Sequence, residues 1–117
     1  MFDLHRHDEY STFDGFGKAD ELAKIAKRLG YSALGLSNHG NTNGLVKHYF
    51  ACKEQGIKPV LGVEAYFQPK FTKGRERFHL CLFAKNSEGY KNMNKMLFSA
   101  EHQKYYNPVV TLDDLRK

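Results

Sequence analysis

Apolar residues recur along this chain in two alternating rhythms, short extended runs and longer helical stripes, punctuated by glycines. The run FDLH at 2–5 reads as a short strand. From 18 to 29, KADELAKIAKRL places Leu22, Ile25, Ala26 and Leu29 on one helical face, and Gly30 follows as a stop. SALGLS at 32–37 reads as a buried strand, and GLVKHYFACKEQ at 44–55 as a second helix stopped by Gly56. KPVLGVEAYF at 58–67 and FHLCLFA at 78–84 are the third and fourth strands. A third helix is expected from 87 to about 100. TLDDL at 111–115 has an N-cap threonine followed by acids, the signature of a further helix start.

Strands alternating with helices imply an α/β fold, either a mostly parallel sheet or an α/β barrel. Four strands are too few to close a barrel, which takes about eight in its standard form. The expectation is therefore part of a barrel whose remainder lies beyond residue 117. The connection between the third and fourth strands is too short for a helical crossover and predicts a β-hairpin. A symmetric hairpin between Phe67 and Phe78 sets Tyr66 opposite His79 and Glu64 opposite Cys81. Glu64 and His79 then become diagonal neighbours on one face.

With 117 residues the chain is one domain's worth. It has no run near the ~20 apolar residues that span a bilayer. Its first residues, MFDLHRHDEY, lack the apolar core of a secretory signal, so no membrane association and a cytoplasmic location are expected. Cys52 and Cys81 show no CxxC spacing, which excludes a zinc ribbon, and Cys81 within LCLF reads as a small core residue. The net charge of +5 suggests an anionic partner. Its densest basic stretch, QPKFTKGRER, carries Lys70, Lys73, Arg75 and Arg77, which suits either a phosphate-contacting loop or a solvated one.

The candidate chemistry lies at strand ends. His5 and His7 are two apart on an extended segment, so they project to one side and can share or bridge metal ions. Asp14 follows in FDGFG, where Gly15 and Gly17 allow a sharp bend. His39 occupies the polar loop SNHGN after the second strand. Glu64 interrupts an apolar strand, where an unpaired charge is costly, and that strand offers no adjacent Lys or Arg. His79 opens the fourth strand, within reach of Glu64. A His/Asp/Glu cluster without Cys suits divalent zinc, manganese or iron, with positions left open for water or a phosphate oxygen.

The segments HRH, SNHGN and GIKPVLGVEAYF resemble the first motifs of the PHP (polymerase and histidinol phosphatase) family. Within it, DEYSTFDG, GNTNGLVKHYFACKEQGIKPVLGVEAY and FHLCLFAKNSEGYKNM are most similar to the N-terminal PHP domain of bacterial DNA polymerase III alpha subunits. The resemblance covers nearly the whole chain. It implies a distorted (β/α)7 barrel with a three-metal site at the strand ends, of which residues 1–117 form a partial PHP domain, the first half. By motif position it implies metal ligation by His5, His7, Asp14, His39, Glu64 and His79. One position departs from the pattern: Asn38 stands where the family usually has Asp. That puts in doubt the orientation or charge balance behind the ligands rather than any ligand itself.

The resulting expectation is a metal-dependent phosphoesterase of 3′–5′ exonuclease type, using Zn or Mn, in a replicative polymerase. Its partners would be DNA and other polymerase or replisome domains, with Arg6 and the basic loop on nucleic-acid phosphates. The alternatives are a catalytically inactive PHP module that scaffolds the polymerase, a stand-alone PHP phosphatase, and a short free-standing gene product. His48 reads as packing or surface, and His102 matches no motif. Tyr105 and Tyr106 can stack on bases, although packing explains them as well.

Overall fold

The computed structural model describes residues 1–104 and 106–116; Tyr105 lies outside them. Its elements are β1 (Phe2–Asp3), α1 (Ala19–Arg28), β2 (Ala33–Leu36), α2 (Leu45–Glu54), β3 (Lys58–Phe67), β4 (Phe78–Phe83), α3 (Ser87–His102), β5 (Val109–Val110) and α4 (Leu112–Leu115). The α/β alternation is the one the sequence predicts, and the sheet curls as part of a barrel.

Ten-residue β3 is the spine. Its first half pairs in parallel with β2, from Ala33↔Lys58 to Leu36↔Leu61, and β2 pairs in parallel with β1. Its second half pairs with antiparallel β4 in the expected hairpin register, Glu64↔Cys81 and Tyr66↔His79. Beyond β2, the edge of β3 away from β4 is taken over by the SNHGN loop. There Glu64 N–H donates to Asn38 O at 3.0 Å and Gly40 N–H donates to Glu64 O at 2.9 Å. The same edge then receives β5, at Tyr66↔Val109 and Phe67↔Val110. Strand β5 was not among the four expected strands, because two residues carry no periodicity to read.

Gly30 and Gly56 end α1 and α2 as the sequence predicts, with φ of 76° and 67°. Asn86 caps α3 through Gly89 N–H at 2.9 Å, and the helix runs to His102. Thr111 and Asp114 form a capping box at α4.

The buried face of α1 differs from expectation. Ala19, Ala23 and Ala26 are buried, while Ile25 and Leu29 are exposed. The alanines let α1 lie close to α2 over Leu34, Ala51, Cys52 and Ile57, and that close approach outweighs the larger side chains in setting the helix's rotation. A second core joins Leu36, Leu45, Val63, Ala65 and Val110 to Met93 and Ala100 of α3. Among the described residues, no helix is long and apolar enough to cross a membrane.

Past Asp3 the first segment stays beside β2, with Ser37 N–H donating to Arg6 O at 2.8 Å. Gly35 makes this possible: a Cβ there would lie 2.5 Å from the Leu4 carbonyl oxygen and 2.6 Å from Leu4 Cα. Gly35→Ala should therefore push away the segment that carries His5 and His7 and destabilise the domain by about 1–3 kcal/mol. Urea midpoints of the two proteins check this, and equal midpoints would show that the segment does not approach so closely.

Candidate metal centre

Four pieces of backbone converge on Glu64. The segment after β1 alternates, placing His5 and His7 on one side and Arg6 on the other. The SNHGN loop is hydrogen-bonded directly alongside Glu64, so His39 arrives as its lateral neighbour. The hairpin brings His79 in from β4. Asp14 comes from the FDGFG loop, where Phe13 adopts a left-handed φ of 69°. Gly15 in that loop lies so close to the Asp8 backbone that a Cβ has no room.

Glu64 is 4% exposed. Three imidazole nitrogens surround its Oε2: His5 Nε2 at 3.1 Å, His7 Nε2 at 3.1 Å and His39 Nδ1 at 3.2 Å. His79 Nδ1 lies 3.1 Å from Oε1. Asp14 Oδ2 stands 2.6 Å from His39 Nε2 and 3.5 Å from His7 Nε2. Among the described residues, no Lys or Arg forms an ion pair with Glu64. The rings crowd together, with His7 and His39 nearly parallel at 4.5 Å between centroids.

Asp14 Oδ2 and His39 Nε2 are hydrogen-bonded, but the contacts to Glu64 Oε2 are not. Glu64 Oε2 and His39 Nδ1 are both buried, and neither has an aligned hydrogen-bond partner. Two ligands each about 2.0–2.1 Å from one zinc-like ion sit roughly 3.0–3.4 Å apart, depending on coordination number. The separations around Oε2 match that edge length. Donor atoms gather within 4.8 Å in three overlapping groups: His5, His7 and Glu64; His7, Asp14 and His39; and His39, Glu64 and His79. The orphaned carboxylate oxygen and the all-nitrogen-and-oxygen donor set fit divalent cations such as zinc or manganese.

The electrostatics agree. Burial raises the Glu64 pKa, but contact with His5 and the charges of His39, His5 and His79 outweigh it, so the carboxyl is held below its ordinary range. Burial, then His39, lowers the His7 pKa against the pull of Glu64 and Asp14, which favours the neutral imidazole a metal needs.

The other expected site residues fall elsewhere. Asn38 is buried directly behind the cluster, bonded to Asp8, Ser11 and Asn43. Arg6 is turned away from the histidines: its Nε donates to Gly35 O at 3.2 Å, and its Nη2 lies 3.3 Å from His48 Nδ1. Lys70, Lys73 and Arg75 are exposed on the hairpin loop, which Gln68 braces through Thr72 and the Glu76 carbonyl. Arg75 lies over Tyr106, and Arg77 lies over Tyr66, 6.0 Å from its ring centre. Tyr66 in turn stacks towards His39, which links Arg77 to the cluster through one ring.

Sequence reasoning passed over Tyr66, Asp8 and Ser11; the last two are small polar residues in a loop, with no pattern to mark them. Cys81 stands opposite Glu64 as the hairpin register predicts, but it is half-buried rather than the core residue expected. Of the two readings of His48, packing or surface, the structure shows packing: it is fully buried, with Nε2 2.9 Å from Leu34 O. His102 is exposed, and its Nδ1 lies 2.9 Å from Phe98 O of its own helix.

The PHP domain profile matches residues 3–117, which include every member of this cluster and all of the curled sheet but Phe2. The chain belongs to the PHP domain family. It is similar to the DNA polymerase III subunit alpha of Helicobacter pylori strain 26695, 48% identical over 96 residues that cover 77% of this chain and 8% of that protein. The subunits of Borreliella burgdorferi and Aquifex aeolicus are 41% and 42% identical over 97% of this chain and 11% of theirs. The chain thus spans about a tenth of the length of these curated relatives. Among solved structures it is similar to an amidohydrolase from Chromobacterium violaceum with bound sulfate and no metal, with a TM-score of 0.66 and 26% identity, over 86% of this chain and 33% of that one. A protein of Bifidobacterium adolescentis, named provisionally as a metal-dependent phosphoesterase, shares the fold at a TM-score of 0.61 and 20% identity, with the same coverage.

The buried His48 behind the site gives the domain a pH dependence. Burial first, then the charge of Arg6, lowers its pKa from 6.5 to about 4. In the unfolded chain His48 takes up a proton below pH 6.5, whereas in the fold it stays neutral until about pH 4. The unfolded state binds more protons in that window, so this contribution is complete above pH 6.5 and lost as pH falls towards 4. His48→Gln should remove about one proton's worth of the slope, read from urea midpoints across the window. An unchanged slope would contradict the assignment.

Proposed function

We propose that this chain is the opening part of the PHP domain of a bacterial-type replicative DNA polymerase III alpha subunit, and that its cluster holds divalent metals for phosphodiester hydrolysis of the 3′–5′ exonuclease type. The observation that carries this reading is the buried Glu64 Oε2, orphaned among three imidazole nitrogens at one ligand-edge distance. Its similarity to DNA polymerase III alpha subunits supports the polymerase context.

In this reading His5, His7, Asp14, His39, Glu64 and His79 are ligands, with zinc or manganese the best match to their donors. Bound metals supply a water of lowered pKa and stabilise charge on phosphoryl oxygens. Glu64 fixes the positions of its neighbours by touching four of them. Asp14, the more exposed carboxylate, stands at the mouth, where a phosphate would enter. Arg77, beside Tyr66, is the basic residue best placed to meet that phosphate, and Lys70, Lys73 and Arg75 extend the positive charge along the hairpin. DNA and the other domains of a cytoplasmic polymerase are the partners.

The test uses the full-length polymerase. His7→Ala should lower nuclease activity by more than the roughly 10–100-fold that loss of an outer partner costs, while leaving polymerisation intact. Equal nuclease rates in variant and parent would sink the exonuclease reading. A metal-loaded parent without phosphoesterase activity would assign the domain a scaffolding role instead.

A further inference from the structure

Behind the proposed ligands lies a set of buried polar groups that no ligand assignment uses, linked to one another except at Asp8 Oδ2, which has no hydrogen-bond partner. Asp8 is 1% exposed and forms a reciprocal pair with Asn38. Its N–H donates to Asn38 Oδ1 at 3.0 Å, and Asn38 Nδ2 donates to Asp8 Oδ1 at 2.7 Å. Asn38 Nδ2 also donates to Asn43 O at 3.1 Å, and Asn38 Oδ1 also accepts from Ser11 Oγ at 3.1 Å. These contacts leave the amide one orientation: its nitrogen faces two acceptors and its oxygen faces two donors.

That orientation propagates. Asn38 Oδ1 can only accept, so the single Ser11 hydroxyl proton goes to it. Ser11 Oγ then offers lone pairs to its two other neighbours, His39 N–H at 3.1 Å and His7 Nδ1 at 3.4 Å. His7 can complete the second contact only by carrying its proton on Nδ1. Its Nε2 is thereby left as a bare lone pair beside Glu64 Oε2, 3.1 Å away and without hydrogen-bond alignment.

We propose that Asp8 is a positioning residue. It orients the Asn38 amide and, through Ser11, holds His7 in the Nδ1–H tautomer with Nε2 free for a divalent cation. The departure at Asn38 then has a physical reason. An aspartate there would turn a carboxylate oxygen towards the Asp8 carboxylate and the Asn43 carbonyl, where the structure requires a donor.

This inference rests on the metal-binding reading above, and two readouts on this chain keep the failures of the two apart. The first is the tautomer of His7 in the metal-free protein, from the 15N shifts of histidine ring nitrogens. The expected result is Nδ1–H in the parent and in Asp8→Asn, which keeps an acceptor oxygen towards Asn38, with the Nε2–H form gaining in Asp8→Ala. The second is zinc affinity by chelator competition. It should fall about tenfold or more in Asp8→Ala and Ser11→Ala, as for loss of an outer-shell partner, and return in Asp8→Asn. Ser11→Ala carries the test should Asp8→Ala fail to fold. A parent His7 in the Nε2–H form, or variants that bind zinc as tightly as the parent, would overturn the relay. A parent that binds no zinc would overturn the metal reading, and the tautomer would still decide the relay.

Discussion

The structure is organised around one buried carboxylate, Glu64, and the four imidazoles that close on it. Glu64 sits in the middle of the longest strand, 4% exposed, between the buried Val63 and Ala65. Burying an unpaired carboxylate costs several kcal/mol after relaxation. The usual remedy, a neighbouring Lys or Arg, is absent from its ion pairs among the described residues. Imidazoles surround it instead, and their orientation around Oε2 leaves that atom without an aligned hydrogen bond. In the metal-binding reading, a shared ion would fill that position and complete the compensation for burial.

Much of the backbone architecture brings the candidate ligands to that point. Strand β3 is bonded along both edges over its second half: β4 on one side brings His79, while the SNHGN loop on the other brings His39. Gly35 lets the first segment press against β2, so that His5 and His7 reach the same place. Because the segments that carry the cluster are also sheet neighbours, its geometry is set by main-chain hydrogen bonds rather than by flexible side chains. Asp8, Asn38 and Ser11 add a second layer that ties the first loop to the SNHGN loop from behind.

The features legible in the sequence were those with a period, a stop or a misplaced charge. The hairpin register could be read because a short connection between Phe67 and Phe78 leaves little freedom, and it correctly set Glu64 across from Cys81. Glu64 itself was legible as a charge within an apolar strand. The buried face of α1 was not, because hydrophobicity favoured Ile25 and Leu29, whereas close helix packing favoured the smaller Ala19, Ala23 and Ala26. Strand β5 was too short to show alternation. Arg6 looked like a phosphate ligand by its place between two histidines, yet the alternation that joins His5 to His7 turns Arg6 to the opposite side, against His48. Asp8 and Ser11 gave no local signal, since their role depends on a partner 27–30 residues away.

Anomalous diffraction from crystals grown with manganese or zinc tests the central claim most directly. The account predicts metal peaks within about 2.0–2.3 Å of Glu64 Oε2 and of the facing His5, His7 and His39 nitrogens. A well-ordered Glu64 paired with a protein cation or hydrogen-bonded to water, and no peak at saturating metal, would contradict it.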